Sequence, residues 1–195
     1  LQAPLLDLSP LAAAQRLTLS LYDTHGLGDR SGRNALRDVG FLSALPQLTG
    51  LSLREFGHLT DLTPLVGLSQ LSSLELYYCM AVTDLSPVEG MQHLWHLSLQ
   101  YCTRLETLAV VETLPALRFV QLEWCQGLTD LTPLSSCRKL RYLSLNRCQG
   151  LTDLTPLHTL TELKSLFLFH CSGISAEQVA ALQAALPGCT VRRHG

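Results

Sequence analysis

The sequence predicts an α/β solenoid: a right-handed arc with a parallel β-sheet on its concave face. Short helices or 3₁₀ turns line the convex face, and a helix caps the C-terminus. Three observations carry this. Leu48, Leu71, Leu94, Leu117, Leu140 and Leu163 recur every 23 residues. Each opens the same pattern, L-x-x-L-x-L-x-x-C (with Phe56 for the cysteine in the first) followed by roughly L-T-D-L-T-P-L-x-x-L. And 46 of the 195 residues are leucine, which the period explains. A fixed period of this length marks coils that bury their apolar faces only by stacking on one another.

Each element follows from one segment of the unit. The L-x-L core, such as Leu74 and Leu76, alternates with period two, as a strand with one buried face does. Thr63-Pro64, Ser86-Pro87, Thr132-Pro133 and Thr155-Pro156 set a helix-capping residue before proline, which needs no N–H partner at the first helical position. The P-L-x-x-L that follows reads as one short turn, with Leu65 and Leu68, or Leu157 and Leu160, pointing inward. The fourth unit has Thr107 for Asp and Val110 for Pro, and its segment over 106–116 reads as a more regular helix.

The ends differ from the middle. We divide the chain into irregular N-terminal repeats (1–47), regular 23-residue repeats (48–170) and a C-terminal cap (171–195). The tail of an early unit is read at Asp7-Leu8-Ser9-Pro10-Leu11, a strand around Ala14, Leu17 and Leu19, and an inserted loop over 22–35. The insertion carries Asp23, His25 and Ser31, but no catalytic spacing. Contact with a partner is its better reading. Ser175-Ala176-Glu177-Gln178 forms a capping box ahead of a helix running to about Leu186, with a last strand near Cys189, Thr190 and Val191. The chain begins at Leu1 without a methionine or a signal-peptide pattern. It is expected to be a piece of a longer protein whose repeats continue upstream.

Two further columns repeat with the unit. Cys79, Cys102, Cys125, Cys148 and Cys171 are expected to point inward as reduced thiols that satisfy loop backbone groups. C-x-x-C metal spacing is missing. Cys137 and Cys189 read as small buried hydrophobes. Seven cysteines cannot all pair within one chain, and a thiol ladder favours a reducing compartment. Asp61, Asp84, Asp130 and Asp153 are read as caps of their own loops; the alternative is a carboxylate ladder for calcium or a basic partner.

Function is expected where the repeat does not dictate the residue. Two positions past each repeat leucine stand Gly50, Ser73, His96, Phe119, Tyr142 and Ser165. Four past stand Ser52, Glu75, Ser98, Gln121, Ser144 and Phe167. Six past stand Arg54, Tyr77, Gln100, Glu123, Asn146 and Phe169. Seven past stand Glu55, Tyr78, Tyr101, Trp124, Arg147 and His170. Eight of the twelve aromatics fall in these four columns. With Glu75, His96, Gln121, Glu123, Arg147 and His170 they form a candidate protein-binding surface, because exposed aromatic clusters flanked by charge resemble recognition hot spots. Strand packing is the competing explanation, and the cap offers another cover for Phe167 and Phe169. Arg118, Arg141 and Lys164, one past the leucine, read as a solvated rim with a small basic edge, and Trp95 in the same column reads as a shield for a neighbouring coil.

Composition excludes several classes. A net charge of −2 argues against a general grip on nucleic acid or an anionic membrane. No apolar run is long enough for a membrane span. G-x-x-x-x-G-K-[ST], G-x-S-x-G and H-E-x-x-H are missing, so no enzyme, cofactor or metal is expected.

The units resemble bacterial-type leucine-rich repeats with a D-L-x-P-L turn, as in internalins, with cysteine in the asparagine slot. The cysteine column and G-L-T-D run also resemble the repeats of F-box-type receptors, whose convex helix is longer. Overall the chain is similar to the C-terminal leucine-rich repeats of bacterial NACHT-type, NLR-like STAND NTPases. That resemblance implies a cytoplasmic, non-catalytic sensing or autoinhibitory module in antiphage defence, binding a foreign protein or another domain of its parent chain. The alternatives are an internalin-like secreted adhesin or effector, an F-box-like substrate receptor, and an intramolecular scaffold.

Overall fold

The computed structural model describes residues 17–23 and 39–193. Eight strands form one parallel sheet in chain order: β1 (Leu17–Tyr22), β2 (Leu48–Arg54), β3 (Ser73–Tyr77), β4 (His96–Ser98), β5 (Phe119–Gln121), β6 (Tyr142–Ser144), β7 (Ser165–Phe167) and β8 (Thr190–Arg192). From β2 to β7 the register advances by one repeat per strand. Leu51, Leu74, Leu97, Val120, Leu143 and Leu166 therefore form one row, and Val191 of β8 continues it. All are buried except Val191. The early partial unit and most of the predicted loop over 22–35 lie outside the described residues.

The return path of each coil is a 3₁₀ turn: Gly40–Ala44, Thr63–Leu65, Ser86–Val88, Ala109–Thr113, Thr132–Ser136 and Thr155–Thr159. Leu140, Leu143, Leu145, Leu151, Leu154, Leu157 and Leu160 of a single unit are each 0–1% exposed. Each such side chain removed from water stabilises by about 1.5–3 kcal/mol, and the contacts come from the coils on either side.

Two local expectations are corrected. Thr63, Ser86, Thr132 and Thr155 do not cap the turns; they are the first residues inside them. The caps are Asp61, Asp84, Asp130 and Asp153, whose Oδ1 atoms each accept the N–H two residues on at 2.8 Å. Nor is the fourth unit more helical. Ala109–Thr113 is a 3₁₀ turn of the same length as those of the next two units. Thr107 Oγ1 takes over the cap, accepting the Ala109 N–H at 3.2 Å, and Leu114 must return to the core where its neighbours do.

The C-terminus follows the sequence. Helix α1 (Ala176–Ala185) starts at Ser175, whose hydroxyl accepts the Gln178 N–H while the Gln178 side chain accepts the Ser175 N–H. The chain then adds β8, so Arg192 pairs in register with Phe167.

Candidate protein-binding face

The strand alternation that buries Leu74 and Leu76 turns the intervening residues to the opposite side of the sheet. Gly50, Ser73, His96, Phe119, Tyr142 and Ser165 occupy one register row there; Ser52, Glu75, Ser98, Gln121, Ser144 and Phe167 occupy the next. The last two columns behave differently from the sequence reading. From β4 to β7 the strands are only three residues long, so the six-past and seven-past positions lie beyond their ends. Glu55, Tyr78, Tyr101, Trp124, Arg147 and His170 are not strand residues. Each sits in the left-handed region, with φ between 57° and 66°.

That conformation costs a non-glycine residue roughly 1–2 kcal/mol, and a hydrogen bond offsets part of it. The N–H groups of Glu55, Tyr78, Tyr101, Trp124 and Arg147 each donate to the carbonyl of the residue six past the leucine in the following coil, at 2.7–3.0 Å. The chain turns sharply there and sends the next residue, cysteine or Phe56, inward.

The aromatic side chains form two ladders. Across the strands, His96 meets Phe119 edge-on at 5.0 Å, Phe119 stacks on Tyr142 at 4.0 Å, and Tyr142 meets Phe167, at the end of β7, at 5.2 Å. Phe167 lies 6.2 Å from Phe169, and Arg192 lies over its ring at 5.5 Å. Past the strand ends, Tyr77 contacts Tyr78 at 4.9 Å, Tyr78 stacks on Tyr101 at 4.0 Å, and Tyr101 stacks on Trp124 at 5.3 Å. Arg147 closes this ladder over Trp124 at 4.6 Å, and Arg54 lies over Tyr77 at 5.7 Å. All these rings are half-buried rather than exposed, because each is partly covered by its neighbour. Offset and edge-on contacts at these separations contribute about 0.5–1.5 kcal/mol each beyond area. Cross-strand packing therefore accounts for part of the pattern, and each of these residues keeps partial exposure.

Between the ladders lies a polar strip. Glu75 accepts from Ser52 Oγ and from Arg54, both at 3.1 Å. Asn146 donates to the buried Ser144 Oγ at 3.1 Å and accepts the Phe169 N–H at 2.8 Å. Gln121 lies in register between Ser98 and Ser144. His96 Nδ1 is bonded to Ser73 Oγ at 2.8 Å. Its Nε2, and Glu123 Oε2, are buried without a partner among the described residues. Tyr77, Tyr101, Glu123, Trp124, Arg147, Phe169 and His170 line a shallow groove of about 470 Å³. Burial, and then the Tyr101 hydroxyl, pushes the Tyr78 phenol above its ordinary value; burial followed by the Glu123 charge does the same to Tyr142. His96 and His170 do not meet, and no cluster of metal-binding side chains occurs among the described residues.

No protein-family model matches the sequence, and no curated protein does. Solved structures do match. An internalin C2 from Listeria monocytogenes aligns over 91% of this chain and 80% of its own, at 22% identity and a TM-score of 0.61. The yeast Rad7–Elc1 complex aligns over 77% of this chain and 42% of the matched one, at 20% identity and a TM-score of 0.53. The fold is a leucine-rich-repeat solenoid. A third match, the functional domain of InlJ from Listeria monocytogenes, which includes a cysteine ladder, aligns over 84% of this chain and 55% of its own at 21% identity; its TM-score of 0.25 is too low to carry weight.

In this leucine-rich-repeat chain the cysteine column does what the sequence reading expects. All seven cysteines are unpaired and buried. Cys125, Cys148 and Cys171 donate Sγ–H to the carbonyls of Leu99, Leu122 and Leu145 at 3.1, 2.9 and 3.0 Å. The same carbonyls accept the N–H of the previous coil's cysteine, so each thiol takes a second lone pair and ties two coils together. Burial pushes the thiols up, Cys79 to about 12 and Cys137 to about 11. Such thiols are poor metal ligands and nucleophiles.

Sequence reasoning omitted Arg54, Gln100, Asn146 and Arg192 from the candidate surface, although the first and last sit over aromatic rings. The signal available was position: Arg54, Gln100 and Asn146 stand in the same column as Tyr77. Arg192 carried none, since its place depends on β8 pairing.

Proposed function

We propose that this chain is a non-catalytic protein-recognition module whose open sheet face binds a protein ligand or another domain of its parent chain. The observation that carries the reading is the pair of aromatic ladders, with Tyr77, Tyr78, Tyr101, Trp124 and Arg147 along one side and His96, Phe119, Tyr142, Phe167 and Phe169 along the other. Stacking pre-orders these side chains, so a partner meets rings whose rotamer entropy is already spent. Aromatic and arginine side chains are also the residues that dominate protein interfaces. Glu75, Gln121, Glu123 and His170 supply polar edges that set orientation.

The finer reading, a ligand-sensing or autoinhibitory module of a NACHT-type STAND NTPase in the bacterial cytoplasm, rests on the overall likeness of the repeats and on the cysteine column. Seven unpaired thiols fit a reducing compartment. A secreted internalin-like module is the second reading, favoured by the D-L-x-P-L turn. A Walker A motif encoded upstream supports the first; a signal peptide there supports the second and overturns the first.

The binding claim is tested by comparative capture. Partners retained by the intact chain are expected to be lost by a Tyr78→Ala, Tyr101→Ala, Trp124→Ala variant with an unchanged circular dichroism spectrum. Equal capture by both defeats the reading.

A further inference from the structure

From β3 to β7 the column one past the repeat leucine precedes the strand and is held tightly in register. The Trp95 carbonyl accepts the N–H groups of Arg118 and Phe119 at 2.9 and 3.0 Å. The Arg118 carbonyl accepts those of Arg141 and Tyr142 at 2.8 and 3.0 Å, and the Arg141 carbonyl accepts that of Lys164 at 2.9 Å. Trp95, Arg118, Arg141 and Lys164 therefore stand on adjacent coils about 4.8 Å apart. Trp95 does not shield a neighbouring coil; its side is open, at 46% exposure. It walls a groove of about 600 Å³ whose other sides are Phe119, Tyr142, Ala116 and the two arginines.

The charges of this groove are under-used. Arg118 has no ion pair among the described residues, and Arg141 holds one exposed contact to Glu162 at 3.3 Å, a pair worth little in water. Asp61, Asp84, Asp130 and Asp153 all lie at the exposed convex turns. The molecule thus presents cations and rings at one edge of the sheet and carboxylates at the convex turns. A basic partner is repelled at that edge. An anionic one is attracted there and repelled from the convex turns.

We propose that this edge groove is a docking site for an acidic segment of a protein partner, with a bulky aromatic residue seated between Trp95 and the Phe119–Tyr142 pair and flanking carboxylates on Arg118 and Arg141. The proposal rests on the protein-recognition reading and places a second contact outside the ladder past the strand ends. Three cations in one row are too few to track a nucleic-acid backbone.

The test uses the full chain and a fluorescein-labelled peptide, GSEEFEEGS, with GSQQFQQGS and GSEEAEEGS as counterparts, followed by anisotropy. The acidic aromatic peptide is expected to bind at least tenfold tighter than either counterpart and to weaken as salt rises. Arg118→Glu with Arg141→Glu reduces its affinity at least tenfold, Trp95→Ala about fivefold, and Tyr101→Ala with Trp124→Ala less than twofold. Equal binding of the glutamine peptide, insensitivity to the arginine changes, or tighter binding of a 20-nucleotide single strand or of anionic vesicles overturns the proposal. Loss of peptide selectivity with sheet-face capture intact overturns the edge site alone. Failed capture with peptide selectivity retained overturns the sheet-face reading and leaves the edge site supported.

Discussion

Cys148 shows how much one position in a repeat is asked to do. Its side chain must fill a slot with no solvent exposure and also present a donor to Leu122 O at 2.9 Å. Alanine fills less and donates nothing, whereas serine keeps the donor. Cys148→Ala is expected to destabilise by about 1–3 kcal/mol and Cys148→Ser by less than half as much, read from urea unfolding midpoints. The titrating residues give a pH profile with two flanks. Hydrogen bonds from the hydroxyl and amide of Thr63, Thr132 and Thr155, and from the amide and hydroxyl of Ser86, lower Asp61, Asp130, Asp153 and Asp84 below the ordinary 3.8. Their contribution is complete above about pH 4 and is lost as pH falls through the lowered folded values. The thiols run the other way. Burial raises them above the ordinary 9.0, so their contribution is complete below pH 9 and is lost as pH climbs, the unfolded chain ionising first. Unfolding midpoints between pH 3 and 11 should fall on both sides of a plateau. A midpoint that keeps rising below pH 4 or above pH 9 contradicts these assignments. At this scale the cysteines and aspartates were legible, because a buried donor and a loop cap act within one coil and its neighbour. The positive φ of Tyr78, Tyr101 and Trp124 was not: bulky residues favour right-handed or extended backbone, and only the coil-to-coil hydrogen bond explains the exception.

At the scale of elements, strand cores and convex turns could be placed from period and proline alone. Strand ends could not, since β4–β7 stop after three residues, ahead of the left-handed turn. Coil spacing was hidden as well. A Cβ added at Gly173 meets the Leu151 carbonyl oxygen at 2.3 Å, and one at Gly150 meets the Leu128 oxygen at 2.9 Å. Ala81 fills the same column two coils before Gly127, so the glycine is needed where these later coils approach most closely. Gly173→Ala is expected to destabilise by about 1–3 kcal/mol, although the position is exposed. A change under 0.3 kcal/mol in the unfolding midpoint would show that the coils separate freely.

For the whole molecule, stacking converts leucines without individual function into a straight register, and that register brings residues 23 apart into ring contact. The candidate columns were legible because the period is regular. Their pairing into two ladders, and the groove beside Trp95, depend on side-chain directions that spacing does not encode. The central claim is that the open sheet face carries recognition. Its most direct measurement is calorimetric titration of a captured partner with three proteins: the intact chain, the Tyr78, Tyr101 and Trp124 alanine variant, and a convex-face variant carrying Asp84→Ala and Glu89→Ala. At least a hundredfold loss of affinity is expected for the sheet-face variant, which is about 2.7 kcal/mol, and less than a twofold change for the convex one. A partner that keeps its affinity for the sheet-face variant and loses it for the convex variant would contradict the account.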